Sequence, residues 1–107
     1  MRSKYGNVKT TVDNIAFDSK KEAARYAELK MLLRSRIITG LEMQKEFSLR
    51  VNGVLICTYV ADFSYFGLDG REVIEDGKGL KTGAAYQMFR VKSKLMIAVY
   101  GLRVIEV

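Results

Sequence analysis

The first regular pattern in the chain is helical, because apolar residues recur at intervals of three and four positions. The apolar residues of this face are Tyr26, Leu29 and Leu33. Such spacing lines one face of a helix. Ser19 precedes the segment and Glu22 follows three positions later, which is the capping box typical of a helix N-terminus. The pattern predicts a first helix that follows Ser19 and ends near Arg34 or Arg36.

Three strands are predicted after this helix, because segments rich in β-branched and aromatic residues are bounded by turn signals. Segments 46–51 and 54–65 flank an Asn-Gly pair, the strongest short signal for a β-hairpin turn. A second turn at 68–70 leads to a third strand over 71–78. Together these segments predict an antiparallel meander.

A second helix and a final strand complete the predicted order. The second helix follows Lys81 and ends at Gly101, where a C-cap glycine belongs. Residues 102–107 are rich in β-branched side chains and predict the last strand. Residues 1–12 form a polar, basic arm without clear periodicity. The order is α-β-β-β-α-β, which predicts one α/β domain over residues 1–107.

The composition excludes several kinds of chemistry. The 107 residues, 49% of them hydrophobic and 28% charged, suit one compact domain. There is no histidine and one cysteine, which excludes histidine bases, histidine metal sites, an intramolecular disulfide and a cysteine-rich zinc site. No apolar run approaches the ~20 residues that span a bilayer, and no signal peptide is evident. We therefore expect no membrane partner and a reducing, cytoplasmic compartment.

The net charge of +6 is unevenly distributed along the chain. Residues 1–12 and 77–105 carry basic side chains and no acidic one. Such segments favour a polyanionic partner, because neutralising phosphates drives nucleic-acid binding. A solvated face that keeps the protein in solution explains the same charges. The candidate contacts to a DNA backbone are Lys4, Lys9, Lys81, Arg90, Lys92 and Lys94.

Two aspartates fall on neighbouring predicted strands, Asp62 on the second and Asp76 near the end of the third. Strand alternation places Asp76 and Lys78 on one face of the sheet and Glu75 on the other. Two carboxylates and an ammonium group on one face are costly unless something holds them. Mg²⁺ prefers such oxygen ligands, and a lysine beside it can prepare a water for attack on a phosphodiester.

A glutamate on the first helix, then Asp62, then Asp76-Gly77-Lys78, resembles the motif of the PD-(D/E)XK nuclease superfamily. More closely, segments 17–23, 59–63 and 75–79 resemble a phage and prophage family of small predicted endonucleases, which is similar to Holliday-junction resolvases. The resemblance covers nearly the whole chain. The Asp-x-Lys triplet alone is a weak signal, whereas three segments in the right order on the right elements are a much stronger one.

The resemblance implies a role for each matched residue. Asp62 and Asp76 match the two acidic metal ligands of the motif, with Gly77 and Glu22 as further candidate ligands. Lys78 matches the lysine that positions the attacking water. Glu22 matches an acid of the first helix, which in relatives binds metal or orients the water.

Three other positions qualify the match. Gln44 lies where some relatives carry a polar residue near the site. Ala61 replaces the proline of the motif, at a cost in rigidity alone. Gly77 replaces the usual β-branched or apolar residue, which loosens the strand end beside the site.

The implied fold is restriction-endonuclease-like, with a mixed sheet flanked by helices. The implied activity is Mg²⁺-dependent hydrolysis of branched DNA, with Mn²⁺ as an alternative ion, in the bacterial host cell of a phage or prophage. Cutting a four-way junction needs two sites, so a symmetric homodimer is expected. A nicking or DNA-repair nuclease, an inert nucleic-acid-binding protein of the same fold, and a small structural or assembly protein remain as alternatives.

Each acidic candidate also has a plainer explanation. Glu22 completes the capping box, which stabilises a helix by about 1 kcal/mol without any catalytic role. Asp62 can accept turn hydrogen bonds at a strand end. Asp76 and Lys78 can form a surface ion pair, which contributes less than about 1 kcal/mol.

Overall fold

A computed structural model describes residues 10–77 and 81–107. The chain divides into two compact units, the first ending at Ile38 and the second covering Thr39–Val107. No helix within the described ranges is long and apolar enough to cross a membrane. The single nuclease domain expected over residues 1–107 stays a prediction.

The first unit opens with a short hairpin of β1 (Thr10–Val12) and β2 (Ile15–Phe17). The two residues between these strands, Asp13 and Asn14, have φ values of 52° and 62°. Asp and Asn tolerate this left-handed region, which suits a two-residue hairpin turn. No strand is predicted within the basic arm over 1–12, whereas residues 10–12 form β1, because the turn that follows them allows a hairpin with β2.

Helix α1 (Lys20–Arg34) follows the hairpin and begins where the sequence predicts. The Ser19 side chain accepts a hydrogen bond of 3.1 Å from the backbone N–H of Glu22, which confirms the N-cap. Tyr26 of α1 is buried and packs on Phe17, with ring centroids 5.1 Å apart. Its hydroxyl donates to Oδ2 of Asp13 at 3.1 Å, which ties the helix to the hairpin turn.

The second unit contains a four-stranded mixed sheet in the order β3-β4-β5-β6. The bounds of its strands are β3 Thr39–Val51, β4 Val54–Phe66, β5 Glu72–Asp76 and β6 Val104–Glu106. The first three strands are antiparallel, as predicted, and β6 is parallel to β5. Strand β3 is longer than the predicted 46–51, because β4 offers pairing partners as far as Thr39.

Helix α2 (Gly83–Tyr100) connects β5 to β6 and covers one face of the sheet. A parallel pair needs such a crossover connection. The helix ends at Gly101, whose φ of 70° is left-handed, as a C-cap glycine requires. The buried core beneath α2 consists of Phe47, Leu49, Tyr59, Ala61, Ile74, Phe89 and Met96.

The end of β5 is held by the residue that follows β6. Asp76 is opposite Glu106 in the parallel pairing, and its carbonyl accepts a hydrogen bond of 3.0 Å from the backbone N–H of Val107. The last described residue thus fixes the backbone at Asp76.

Candidate functional site

Asp62 and Asp76 lie on adjacent strands, at positions that face each other. The pairing of β4 with β5 sets Phe63 opposite Glu75, and the next positions on these antiparallel strands are Asp62 and Asp76. The backbone N–H of Gly77 donates a hydrogen bond of 2.9 Å to Oδ2 of Asp62. The structure therefore brings together the two aspartates that the sequence assigns to neighbouring strands.

Asp76 is a buried carboxylate, with 2% of its surface exposed. The Tyr59 hydroxyl donates to its Oδ2 at 2.6 Å. The pKa of Tyr59 is raised well above 10.0, chiefly by burial, then by this hydrogen bond and by the negative charges of Asp76 and Asp62. Both aspartates therefore act on the same phenol.

Asp62 is partly exposed and is held on its other oxygen by Gln44. The Gln44 side-chain amide donates to Oδ1 of Asp62 at 3.4 Å, which is a long hydrogen bond. Gln44 has a φ of 53°, and the positions paired on either side of it are Met43 with Phe63 and Lys45 with Ala61. A non-glycine residue in this left-handed region is strained, and such residues often lie beside functional groups.

The buried side chains of β4 do not follow strict alternation along the strand. Tyr59 and Ala61 belong to one core cluster with Ile74, yet the register partner of Ile74 is Ser64. Odd and even positions of β4 thus face the same side, so the alternation of its side chains shifts by one position between Ala61 and Ser64. Tyr59 lies on the same side as Ile74, and its hydroxyl reaches Asp76.

Glu75 lies on the opposite face from Asp76, as strand alternation predicts. It is 1% exposed, and Tyr65 donates a short hydrogen bond to its Oε2. The hydrogen bond between Tyr65 and Glu75 is not predicted from the sequence. The sequence signal for this hydrogen bond is the presence of Tyr65 on β4, the strand that pairs with the strand of Glu75.

The remaining catalytic candidates have separate outcomes. Glu22 belongs to the first compact unit, where its backbone N–H donates a hydrogen bond to the Ser19 side chain. A catalytic role for its carboxylate stays a prediction. Lys78 lies outside the described residues, as do Lys4 and Lys9. Their proposed roles rest on the sequence alone.

The basic residues of α2 form part of a helix that carries no acidic side chain. Arg90 and Lys94 are exposed. Lys92 is half-buried and lines a shallow groove of about 230 Å³ with Tyr59 and Phe89. The positively charged side chains of Arg90, Lys92 and Lys94 can contact the phosphates of a nucleic acid. Lys81, just before the helix, instead forms an ion pair with Glu106 at 3.3 Å.

A second charged cluster in the same sheet was not predicted. Lys45 Nζ lies 2.9 Å from Oε2 of Glu72 and 3.3 Å from Oε2 of Glu42. The Ser64 hydroxyl donates to the same Glu72 oxygen at 2.9 Å. The hydrogen bond to Glu72 is the main cause that raises the pKa of Lys45. The cluster joins three strands, so no local sequence pattern reveals it.

A family model described as "Protein of unknown function (DUF1064)" matches residues 2–103. The chain belongs to this family. No curated protein and no solved structure matches the chain. The DUF1064 match includes Asp62, Asp76 and Gly77, but its description assigns no activity, so function must be argued from the site.

The donor atoms of this DUF1064 site suit a hard divalent cation. Mg²⁺ is usually held by one or two carboxylates, with waters and substrate phosphates filling its other positions. Asp62 and Asp76 supply two carboxylates, and the Gly77 N–H holds the first of them. Across residues 10–77 and 81–107, no group of three or more His, Cys, Asp or Glu is arranged to hold a metal ion. A metal held there would therefore depend on water and substrate for most of its ligands.

Proposed function

We propose that this DUF1064 chain is a Mg²⁺-dependent endonuclease that hydrolyses branched DNA, with a restriction-endonuclease-like fold. The observation that carries the proposal is the hydrogen bond from Gly77 N–H to Asp62, which holds the Asp62 carboxylate beside Asp76-Gly77. The order α1, three antiparallel strands, α2 and a parallel β6 supports the fold assignment. The resemblance of segments 17–23, 59–63 and 75–79 to the phage family supports the reaction class.

The proposed mechanism assigns one task to each residue. Asp62 and Asp76 hold the cation, which when bound acts as a Lewis acid on the scissile phosphate. Lys78 orients the water whose oxygen forms a new bond to phosphorus. The attacking water gives up a proton to solvent, the phosphorus–oxygen ester bond breaks in line, and the leaving oxygen takes up a proton from solvent. Tyr59 and Gln44 hold the two carboxylates while this occurs.

The basic surface supplies binding rather than sequence selection. Arg90, Lys92 and Lys94 lie along a helix without acidic residues, and such side chains contact phosphates irrespective of the bases. Recognition would then depend on the shape of the DNA. Two cuts in a four-way junction require two copies of the chain, so the active species is a homodimer in the bacterial cytoplasm.

A catalytically inert DNA-binding protein is the second candidate. The observation that favours it is that the described ranges contribute two carboxylates to the site and no third metal-binding side chain. This protein would bind DNA equally well with and without Mg²⁺.

The deciding experiment is cleavage of a labelled four-way junction, a linear duplex and a single strand, in Mg²⁺ or Mn²⁺ against EDTA. Asp76→Asn removes a ligand charge but keeps an acceptor for the Tyr59 hydroxyl. Asp69→Asn is the matched control, because this exposed turn residue loses the same charge away from the site.

Metal-dependent cutting of the junction, lost in Asp76→Asn and kept in Asp69→Asn, is the expected result. Cutting of all three DNAs would retain the nuclease and replace junction specificity with nicking or repair. Tight binding without cutting, equal in wild type and Asp76→Asn, would establish the inert protein instead.

A further inference from the structure

Tyr59 is held rigidly on the core side of β4. Its side chain is 3% exposed, and its ring neighbours those of Phe47 and Phe89, with both centroid distances 6.4 Å. Two aromatic neighbours at such distances fix the ring plane and thereby the direction of the hydroxyl. The phenol oxygen therefore has a defined position relative to the sheet.

The carboxylate of Asp76 needs this defined donor. It is buried, and a buried carboxylate is costly unless hydrogen-bonded. Across the strand pair, the position next to the paired Phe63 carries a second carboxylate, Asp62. The 2.6 Å hydrogen bond from the Tyr59 hydroxyl satisfies one oxygen of the Asp76 carboxylate and restricts its rotation.

We propose that Tyr59 is a positioning residue, whose hydroxyl fixes the orientation of Asp76 for metal binding. The inference rests on the proposed function, because it concerns the same carboxylate. Tyr59 itself touches neither metal nor substrate. Partners that orient metal ligands in this way change metal affinity by about 10–100-fold when they are removed.

A purely structural role for the phenol is the competing explanation, and the molecule contains a matched control for it. Tyr65 donates the same kind of hydrogen bond from the same strand, β4, to the residue next to Asp76, Glu75. Both acceptors are buried. Tyr65→Phe therefore removes an equivalent bond from a carboxylate that the mechanism does not use.

The experiment compares the full-length wild type, Tyr59→Phe and Tyr65→Phe by three measurements. Mn²⁺ affinity is measured directly from the electron paramagnetic resonance of unbound Mn²⁺, which requires no activity. Thermal midpoints report folding. Junction cleavage is then followed against Mn²⁺ concentration.

The expected result is an approximately tenfold weaker Mn²⁺ affinity for Tyr59→Phe and an unchanged affinity for Tyr65→Phe, with similar thermal midpoints. Saturating Mn²⁺ should restore the Tyr59→Phe cleavage rate, which a general loss of structure would not allow. Equal Mn²⁺ affinities for the wild type and both variants would overturn the inference. A wild type that neither binds Mn²⁺ nor cuts DNA would instead overturn the proposed function itself.

Discussion

Glu75 and Asp76 are consecutive buried residues of β5, and each accepts a hydrogen bond from a tyrosine of β4. The Asp76 face carries a second carboxylate at the opposing position, Asp62, which also accepts the Gly77 amide. The Glu75 face has Phe63 at the opposing position. The two faces thus share one kind of polar contact and differ in the residue across the strand pair.

The comparison distinguishes the requirements of a buried carboxylate from those of a metal site. A tyrosine that donates to a buried carboxylate satisfies a hydrogen-bond requirement, and that requirement exists on both faces. Two carboxylates placed opposite each other create a further electrostatic cost, which a cation would offset. The second aspartate, rather than the buried acid alone, distinguishes the candidate metal site.

The largest predicted difference between the faces is in catalysis. If the proposed site is correct, Asp76→Asn should lower the rate of junction cleavage by at least about 100-fold, because it would remove a proposed metal ligand. Glu75→Gln keeps an acceptor for Tyr65 and should leave the rate unchanged. Initial rates on a labelled four-way junction measure both. Equal losses in the two variants would show that the faces do not differ in function.

A smaller difference is expected in the pH dependence of stability. Burial and the hydrogen bond to Asp76 raise the pKa of Tyr59, so the phenol keeps its proton above pH 10 in the folded chain. In the unfolded chain the phenol ionises near its usual pKa of 10.0. The unfolding free energy should therefore fall as the pH rises above 10, by up to about 1.4 kcal/mol per pH unit for one proton. Tyr59→Phe should give a flatter profile.

Urea denaturation between about pH 8 and 11 measures this slope. Lys45 contributes a fall of the same sign, since its hydrogen bond to Glu72 raises its pKa above 10.5 and stability is lost as it deprotonates. That contribution is common to the wild type and Tyr59→Phe. If the unfolding free energies of the two proteins show the same dependence on pH, the ionisation of Tyr59 does not contribute to stability.

The smallest effect is predicted at Gly77, beside the Asp76 face. A Cβ added there would lie 3.7 Å from Oδ2 of Asp62 and 3.8 Å from the Val107 carbonyl, which are ordinary contacts. Gly77→Ala should therefore fold normally and gain about 0.4–1 kcal/mol by restricting the unfolded chain.

Gly40→Ala is the matched contrast. Gly40 has a φ of 64°, and an added Cβ would lie 3.0 Å from the Phe66 ring. Urea denaturation should show a loss of stability for this variant. A clear loss for Gly77→Ala as well would mean that the strand end beside Asp62 is tighter than the contacts indicate.

Local sequence signals predicted much of the fold. Ser19 with Glu22 marks the start of α1, the Asn-Gly pair marks the β3–β4 hairpin, and Gly101 marks the end of α2. Each of these is a short-range preference of the backbone or of a cap. The extent of β3 was missed, because it depends on the length of its partner strand.

The site was predicted in part for the same reason. Asp62 and Asp76 follow from the strand pairing alone. The Tyr59–Asp76 bond does not, since strict alternation would place Tyr59 and the Asp62–Asp76 pair on opposite faces. Tyr59 nevertheless lies on the Asp76 side of the sheet, and no local sequence pattern indicates this departure from alternation.

The pairing of β5 with β6 has a consequence for how the chain folds. Ile74 and Asp76 pair with Val104 and Glu106, so this edge of the sheet closes only after the intervening helix has formed and docked. Contacts between residues this far apart in sequence form late and slowly. During synthesis, the backbone at Asp76 therefore gains this restraint only after helix α2 and strand β6 have been translated, and the nascent chain carries its candidate site unfinished until then.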